Sequence, residues 1–145
     1  MNFRRNRYDG VSLLTQLDRL IPMPDGDLWG LQFDCDEEQF DDISNFCVYI
    51  PEDGIERLAA IELIRGFLPQ LVQLDNLVQT SCEQDWRDSK SDATGFELHI
   101  ANIMFDVKEK TAFIEYYGTR VNNQWTAVFR QDVSENKWWP VNFKL

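Results

Sequence analysis

The chain has 145 residues, of which 43% are hydrophobic and 13% aromatic, and its formal net charge is −11 with a pI near 4.4. This length is typical of a single domain over residues 1–145, and the aromatic content excludes a disordered chain. The acidity argues against nucleic-acid binding, because that affinity comes from Lys and Arg that neutralise phosphates. With no apolar run of 18 residues and no signal-peptide pattern, we expect a cytoplasmic protein without a membrane partner.

The first predicted elements are a helix and two short strands. A helix over residues 9–21 is indicated by apolar side chains at three- and four-residue spacing, with Asp9 as its N-cap. Residues 28–33 and 46–50 are short apolar runs bounded by turn-forming residues, which is typical of strands. We expect these two strands to pair, with residues 34–45 as their connection.

Two further helices are predicted after the second strand. The first begins behind Pro51, where acidic residues favour a helix N-terminus, and is interrupted at Gly66. The next covers residues 68–80 and has Pro69 in its first turn. The polar stretch 81–95 is expected to form a loop.

The last fifty residues contain four β-rich runs separated by short polar connections, which predicts an antiparallel meander. The apolar phase of the first run shifts near Ala101 and Asn102, which indicates a β-bulge. Pro140 places the last strand at an edge, because its nitrogen cannot donate to a ladder. The predicted fold class is therefore α+β, with a four- to six-stranded, mostly antiparallel sheet and about three helices packed on one face.

Six aromatic residues of the meander suggest a stacking platform for a ligand. They are Tyr116, Tyr117, Trp125, Phe129, Trp138 and Trp139. Their alternating spacing favours the core as the place of most of them.

The densest charge lies in the sequence FDCDEEQFDD, residues 33–42. Over the wider window 21–56 there are eleven Asp and Glu and no Lys or Arg, whereas ordinary surfaces intersperse both signs. Three aromatic residues, Trp29, Phe33 and Phe40, lie among the acids, a composition that suits an interface for a basic protein. A merely solvated acidic loop is the alternative. The candidate partner-binding residues are Trp29, Asp34, Asp36, Glu37, Glu38, Phe40, Asp41 and Asp42.

A calcium loop is not supported by this acidic segment. Asp34, Asp36 and Glu38 alternate as they do at the start of an EF-hand loop. However, Gln39 stands where that loop needs glycine, and Asn45 stands where it needs a bidentate glutamate. We therefore expect neither a metal nor another cofactor.

Catalytic chemistry has no recognisable motif in this chain. The single histidine, His99, lies near Glu97 on a predicted strand, and we expect it on a polar strand face. Cys35, Cys47 and Cys82 are widely spaced without a pairing pattern, so they are interpreted as reduced and mostly buried.

The chain resembles small bacterial immunity proteins that neutralise toxic nuclease domains in contact-dependent inhibition and related polymorphic toxin systems. The similarity rests on the compact, acidic, motif-poor α+β type and on the stretch TAFIEYYGTRVNNQWTAVFRQ, residues 111–131. The resemblance implies a non-enzymatic protein that covers the substrate-binding surface of a basic cognate nuclease. The alternatives are a small cytosolic enzyme with an acid/base site around His99 and Glu97, and an adaptor whose acidic loop is only solvated.

Overall fold

The computed structural model of the protein describes residues 10–20, 30–34, 45–50, 54–90, 98–117 and 124–142. The fold is α+β, as predicted. Two helices lie in the described ranges, α1 (Gly10–Leu20) and α2 (Gly54–Lys90). Six strands form the sheet: β1 (Gly30–Asp34), β2 (Asn45–Tyr49), β3 (His99–Asp106), β4 (Thr111–Tyr117), β5 (Gln124–Asp132) and β6 (Lys137–Pro140).

The strands follow one another across the sheet in chain order, β1 to β6. The predicted pairing of the first two strands is confirmed, since β1 and β2 are antiparallel. The predicted meander of the last four strands is confirmed as well. The two units join through a parallel pair, β2 and β3, whose ends are connected through α2. A parallel pair requires such a crossover, because a tight turn reverses the strand direction.

Two details of the meander agree with the sequence. The register of β3 and β4 shifts between Ile100 and Asn102, at the predicted bulge. Pro140 lies on β6, at the edge of the sheet. Beyond this proline the side chain of Asn142 continues the ladder, because its Oδ1 accepts from the N–H of Val128 at 2.9 Å and its Nδ2 donates to the carbonyl of Thr126 at 2.7 Å.

The described part of the chain has two helices where about three were predicted, because the expected break after Gly66 is absent. The two helices expected after Pro51, and the first ten residues of the expected loop 81–95, are one continuous helix, α2. Pro69 lies inside it and removes one backbone hydrogen bond, which is costly in an isolated helix. Here α1 packs against this turn so closely that a Cβ on Gly10 would lie 3.1 Å from the Cα of Pro69.

The apolar stripe of α2 is what makes the continuous helix favourable. Its buried members are Ala60, Leu63, Ile64, Phe67, Leu68, Leu71, Leu74 and Val78. Burying each large apolar side chain contributes roughly 1.5–3 kcal/mol, so the stripe as a whole outweighs one missing hydrogen bond.

Phe67 is the centre of an aromatic cluster between α2 and the sheet. Its ring meets Trp138, Phe105 and Phe129 edge-on, with centroid distances of 5.0, 5.4 and 6.2 Å. Such edge-to-face pairs contribute about 0.5–1.5 kcal/mol each beyond the area they bury. The cluster fixes α2 across three strands.

Candidate functional site

Most of the predicted interface lies outside the described residues. Trp29, Asp36, Glu37, Glu38, Phe40, Asp41 and Asp42 belong to this group. Asp34 is the exception, as the last residue of β1, where it pairs with Asn45 at the start of β2. The acidic interface therefore remains a prediction for these residues.

The acidic segment, defined as the connection 34–45 between β1 and β2, has both of its end residues in the sheet. Asp34 and Asn45 occupy paired positions, and the preceding pair, Phe33 and Phe46, is buried. The two phenylalanine rings stack with their centroids 5.4 Å apart. Phe33 is thus a core residue, which corrects the expectation that it offers an apolar anchor to a partner.

Strand directions place Asp34 and Asn45 at one end of the sheet. Because β2 is parallel to β3, Asn45 lies at the end where β3 begins. The turns at 107–110 and 133–136 lie at the opposite end, since β3 and β5 run towards them. That far end carries Lys108 and Lys110, which are both exposed. The same end also carries Asp106, Glu109, Asp132 and Glu135, so its charge is mixed.

The whole net charge of the protein comes from one window. Of the 25 Asp and Glu, 11 lie in residues 21–56, and all 14 Lys and Arg lie elsewhere. The other 14 acids are therefore balanced by 14 bases. The described anchors of this window are β1, β2 and the first residues of α2.

The sheet face opposite the helices holds an open depression of about 460 Å³ beside the β3 bulge. Its lining residues are Ala101, Asn102, Glu115, Tyr116, Tyr117, Gln124, Trp125 and Thr126. Tyr116 points to the helices, because its hydroxyl donates to Asp75 of α2 at 2.7 Å. Side chains alternate along a strand, so Glu115 and Tyr117 point to the opposite face. Sequence analysis missed this site, although the predicted bulge marks its position.

A polar group of three side chains lies buried between α2 and the sheet. Besides the hydroxyl of Tyr116, the Nε2 of Gln79 donates to Asp75, at 3.2 Å. The same Nε2 lies 3.1 Å from the carbonyl of Leu98. Asp75, Gln79 and Tyr116 are each at most 3% exposed, so they tie the helix to the sheet without access for a ligand.

The sequence suggested that His99 lies on a polar strand face. The structure instead buries this side chain. It is 0% exposed, in register with Tyr117 of β4. Glu97, the acid considered as its catalytic partner, lies outside the described residues.

The described cysteines are half-buried free thiols, Cys47 and Cys82; Cys35 lies outside the described residues. Burial raises the pKa of the Cys47 thiol. Burial, followed by the charges of Asp85 and Asp75, raises the pKa of Cys82 to about 12. Because the thiolate is the reactive form, both thiols are poor nucleophiles at neutral pH.

The six aromatic residues of the meander do not form a single platform. Tyr116, Phe129 and Trp138 are buried, as their spacing predicted, and Trp125 packs on Tyr116 at a centroid distance of 6.5 Å. Trp139 is 44% exposed, with the ammonium group of Lys137 5.9 Å from its ring centroid.

Within the described part of the chain, no group of three or more His, Cys, Asp and Glu side chains is placed to hold a metal ion. Neither described helix combines the length and the apolar character needed to cross a membrane. No protein-family model, curated protein or solved structure matches this chain.

Proposed function

We propose that this protein is a cytoplasmic, non-enzymatic inhibitor that binds a basic cognate toxin and covers its substrate-binding surface. The toxin class we propose is a nuclease domain. The observation that carries the proposal is the confinement of the entire net charge to residues 21–56. The paired strand positions Asp34 and Asn45 support it, because they fix both ends of the densest acidic stretch to the sheet.

The physical argument is charge complementarity. A nuclease grips phosphates with Lys and Arg, so its substrate-binding surface is positive. A concentrated negative field attracts such a surface and raises the association rate, by up to several orders of magnitude at low salt. A protein that occupies that surface also excludes the nucleic acid.

Tight inhibition also needs a desolvated centre, because exposed charge pairs contribute mainly to association and little to the lifetime of a complex. Buried aromatic residues are the usual anchors of such centres. We propose that Trp29 or Phe40 fills this role, and that Asp34, Asp36, Glu37, Glu38, Asp41 and Asp42 supply the surrounding charge.

The test starts from the neighbouring upstream reading frame, if that frame ends in a basic domain. Co-expression of this protein is expected to abolish the toxicity of that domain, and the purified pair is expected to form a complex. Persistent toxicity together with the absence of a complex would reject the proposed pairing.

Charge reversal then locates the interface. The triple variant D36K/E37K/D41K is expected to associate at least about tenfold more slowly at low salt, with a smaller difference at high salt. The matched control is E62K/E109K/E135K, which changes the net charge equally at exposed positions outside the window. An equal loss in both variants would assign the effect to net charge alone, and no loss in either would move the interface elsewhere.

A further inference from the structure

The polar depression beside the β3 bulge has the chemistry of a site for one cationic side chain. We infer that it receives an arginine of the basic protein partner, an assignment of partner that rests on the proposed function. Among the residues that the structure describes, the only charged one in its lining is Glu115, which is half-buried. A carboxylate held in a concave site favours a cation and repels phosphate or carboxylate ligands.

The strand register places the polar groups around this carboxylate. Glu115 pairs with Asn102 on one side and with Thr126 on the other, so these three residues form one row across the sheet. Tyr117 and Gln124 form the next row on the same face. An acid, two amides and a hydroxyl therefore lie on one face of the sheet, beside one aromatic ring.

This set of groups suits guanidinium better than ammonium. Guanidinium is planar and presents five N–H donors, so it binds a carboxylate through two parallel hydrogen bonds and still donates to neighbouring oxygens. It also stacks on aromatic rings, a role open to Tyr117. Ammonium is a compact, strongly hydrated charge that loses more on leaving water.

The depression also lies at the correct end of the sheet for a partner that meets the acidic segment. Asn102 pairs with Cys47 of β2, whose strand begins at Asn45, the last residue of that segment. Neighbouring strands are about 4.8 Å apart, so Glu115 on β4 lies roughly 15 Å across the sheet from β1. A standard interface of about 800 Å² per partner covers both places.

The test uses a short peptide and needs no toxin. N-acetyl-Gly-Arg-Gly-amide is titrated into the ¹⁵N-labelled full-length protein, and amide chemical shifts are followed by NMR. We expect saturable shifts around Asn102, Tyr117, Gln124 and Thr126 with a dissociation constant in the millimolar range, as befits a single side chain. The citrulline peptide, neutral and of equal shape, is expected to bind at least about tenfold more weakly, which equals about 1.4 kcal/mol, and the lysine peptide is expected to bind more weakly than the arginine peptide.

The matched variants are E115Q and E109Q. E115Q is expected to weaken the binding of the arginine peptide at least about fivefold. E109Q, at the exposed turn on the opposite end of the sheet, is expected to leave the dissociation constant unchanged. Unchanged shifts elsewhere in the E115Q spectrum show that the variant is folded. Absence of saturation, shifts confined to other residues, or equal affinity in both variants would overturn the inference.

The two proposals fail separately. If a toxin is neutralised but the peptide does not bind in the depression, the arginine site is wrong and the inhibitor function stands. If the peptide binds there but no basic toxin is bound, the depression recognises guanidinium while the assignment to a toxin is overturned.

Discussion

The side-chain oxygen of Gln70 on α2 accepts a hydrogen bond from the backbone N–H of Trp138 on β6, at 3.3 Å. The nitrogen of the same carboxamide donates to the backbone oxygen of Asn136, at 3.0 Å. Gln70 therefore bonds both to the last residue of the turn 133–136 and to the second residue of β6. The beginning of this edge strand is thereby bonded to a helix, and partners for edge groups are one of the ways in which proteins prevent edge-to-edge aggregation.

Removing this carboxamide is expected to destabilise the fold. Gln70→Ala should lower the free energy of unfolding by about 1–2 kcal/mol, because two backbone groups of the β6 edge lose their partner. The control is Gln73→Ala on the same helix, where the side chain is exposed and the change should stay within about 0.5 kcal/mol. Urea denaturation measures both, and similar values for the two variants would contradict the role of Gln70.

The buried hydrogen bond between Tyr116 and Asp75 is expected to couple the two residues energetically. Tyr116→Phe should cost about 1–3 kcal/mol, because it leaves the buried carboxyl group of Asp75 with one donor fewer. The double variant D75L/Y116F should cost less than the sum of the single variants, since it removes both polar groups together. Tyr117→Phe, at the next position and on the opposite face, is the control. Strict additivity in the double-mutant cycle would show that the hydrogen bond contributes no coupling.

Cys82 is expected to make the stability of the protein fall at alkaline pH. Its pKa is about 12 in the folded protein against an ordinary value of 9.0, because of burial and the nearby charges of Asp85 and Asp75. Well below pH 9 the thiol is protonated in both states and contributes no pH dependence. Between pH 9 and 12 the unfolded chain ionises while the folded chain does not, so the free energy of unfolding decreases as pH rises.

The comparison with Cys82→Ser isolates this contribution from other alkaline titrations. Urea denaturation of both proteins at pH 8 and pH 10, under reducing conditions, should show a steeper loss of stability in the wild type. Parallel decreases in the two proteins would mean that the Cys82 thiol titrates equally in the folded and unfolded chains.

The turn between β3 and β4 contains a residue, Lys110, whose backbone conformation is unfavourable for any side chain that has a Cβ atom. Lys110 has φ of 50°, in the left-handed region that glycine adopts without steric cost. Lys110→Gly should therefore leave stability unchanged or raise it by up to about 1 kcal/mol, whereas Lys110→Val should lower it by about 1–2 kcal/mol. Lys108→Val in the same turn is the control, and thermal unfolding is the measurement. Equal losses of stability in Lys108→Val and Lys110→Val would contradict this explanation.

The fold class was predictable because the apolar periodicities were clear. The period of two in the last fifty residues gave the meander, and the phase shift near Asn102 gave the bulge. The helices were predicted less well, because Gly66 and Pro69 are local signals for interruption and the packing of Gly10 against Pro69 is a long-range contact. Local sequence does not contain that contact.

The candidate site was also predicted only where local sequence carries the signal. A pattern of charge predicts an acidic surface but not the register that places Glu115 between Asn102 and Thr126. Those residues come from three strands. Polar residues at alternate positions are expected on any open sheet face, so this alternation does not mark a site. For His99 the error was to judge a polar residue on a strand by its type, although the folded protein buries it completely.

The parallel pairing of β2 with β3 determines the order in which the sheet can assemble. Cys47 and its partner Asn102 are separated by 55 residues, whereas each hairpin of the meander closes over a short connection. Closing the longer loop costs more chain entropy, so the meander is expected to form first and the hairpin of β1 and β2 to dock afterwards. The hairpin of β1 and β2 is therefore expected to be the last part of the sheet to fold and, in the native state, the first to open.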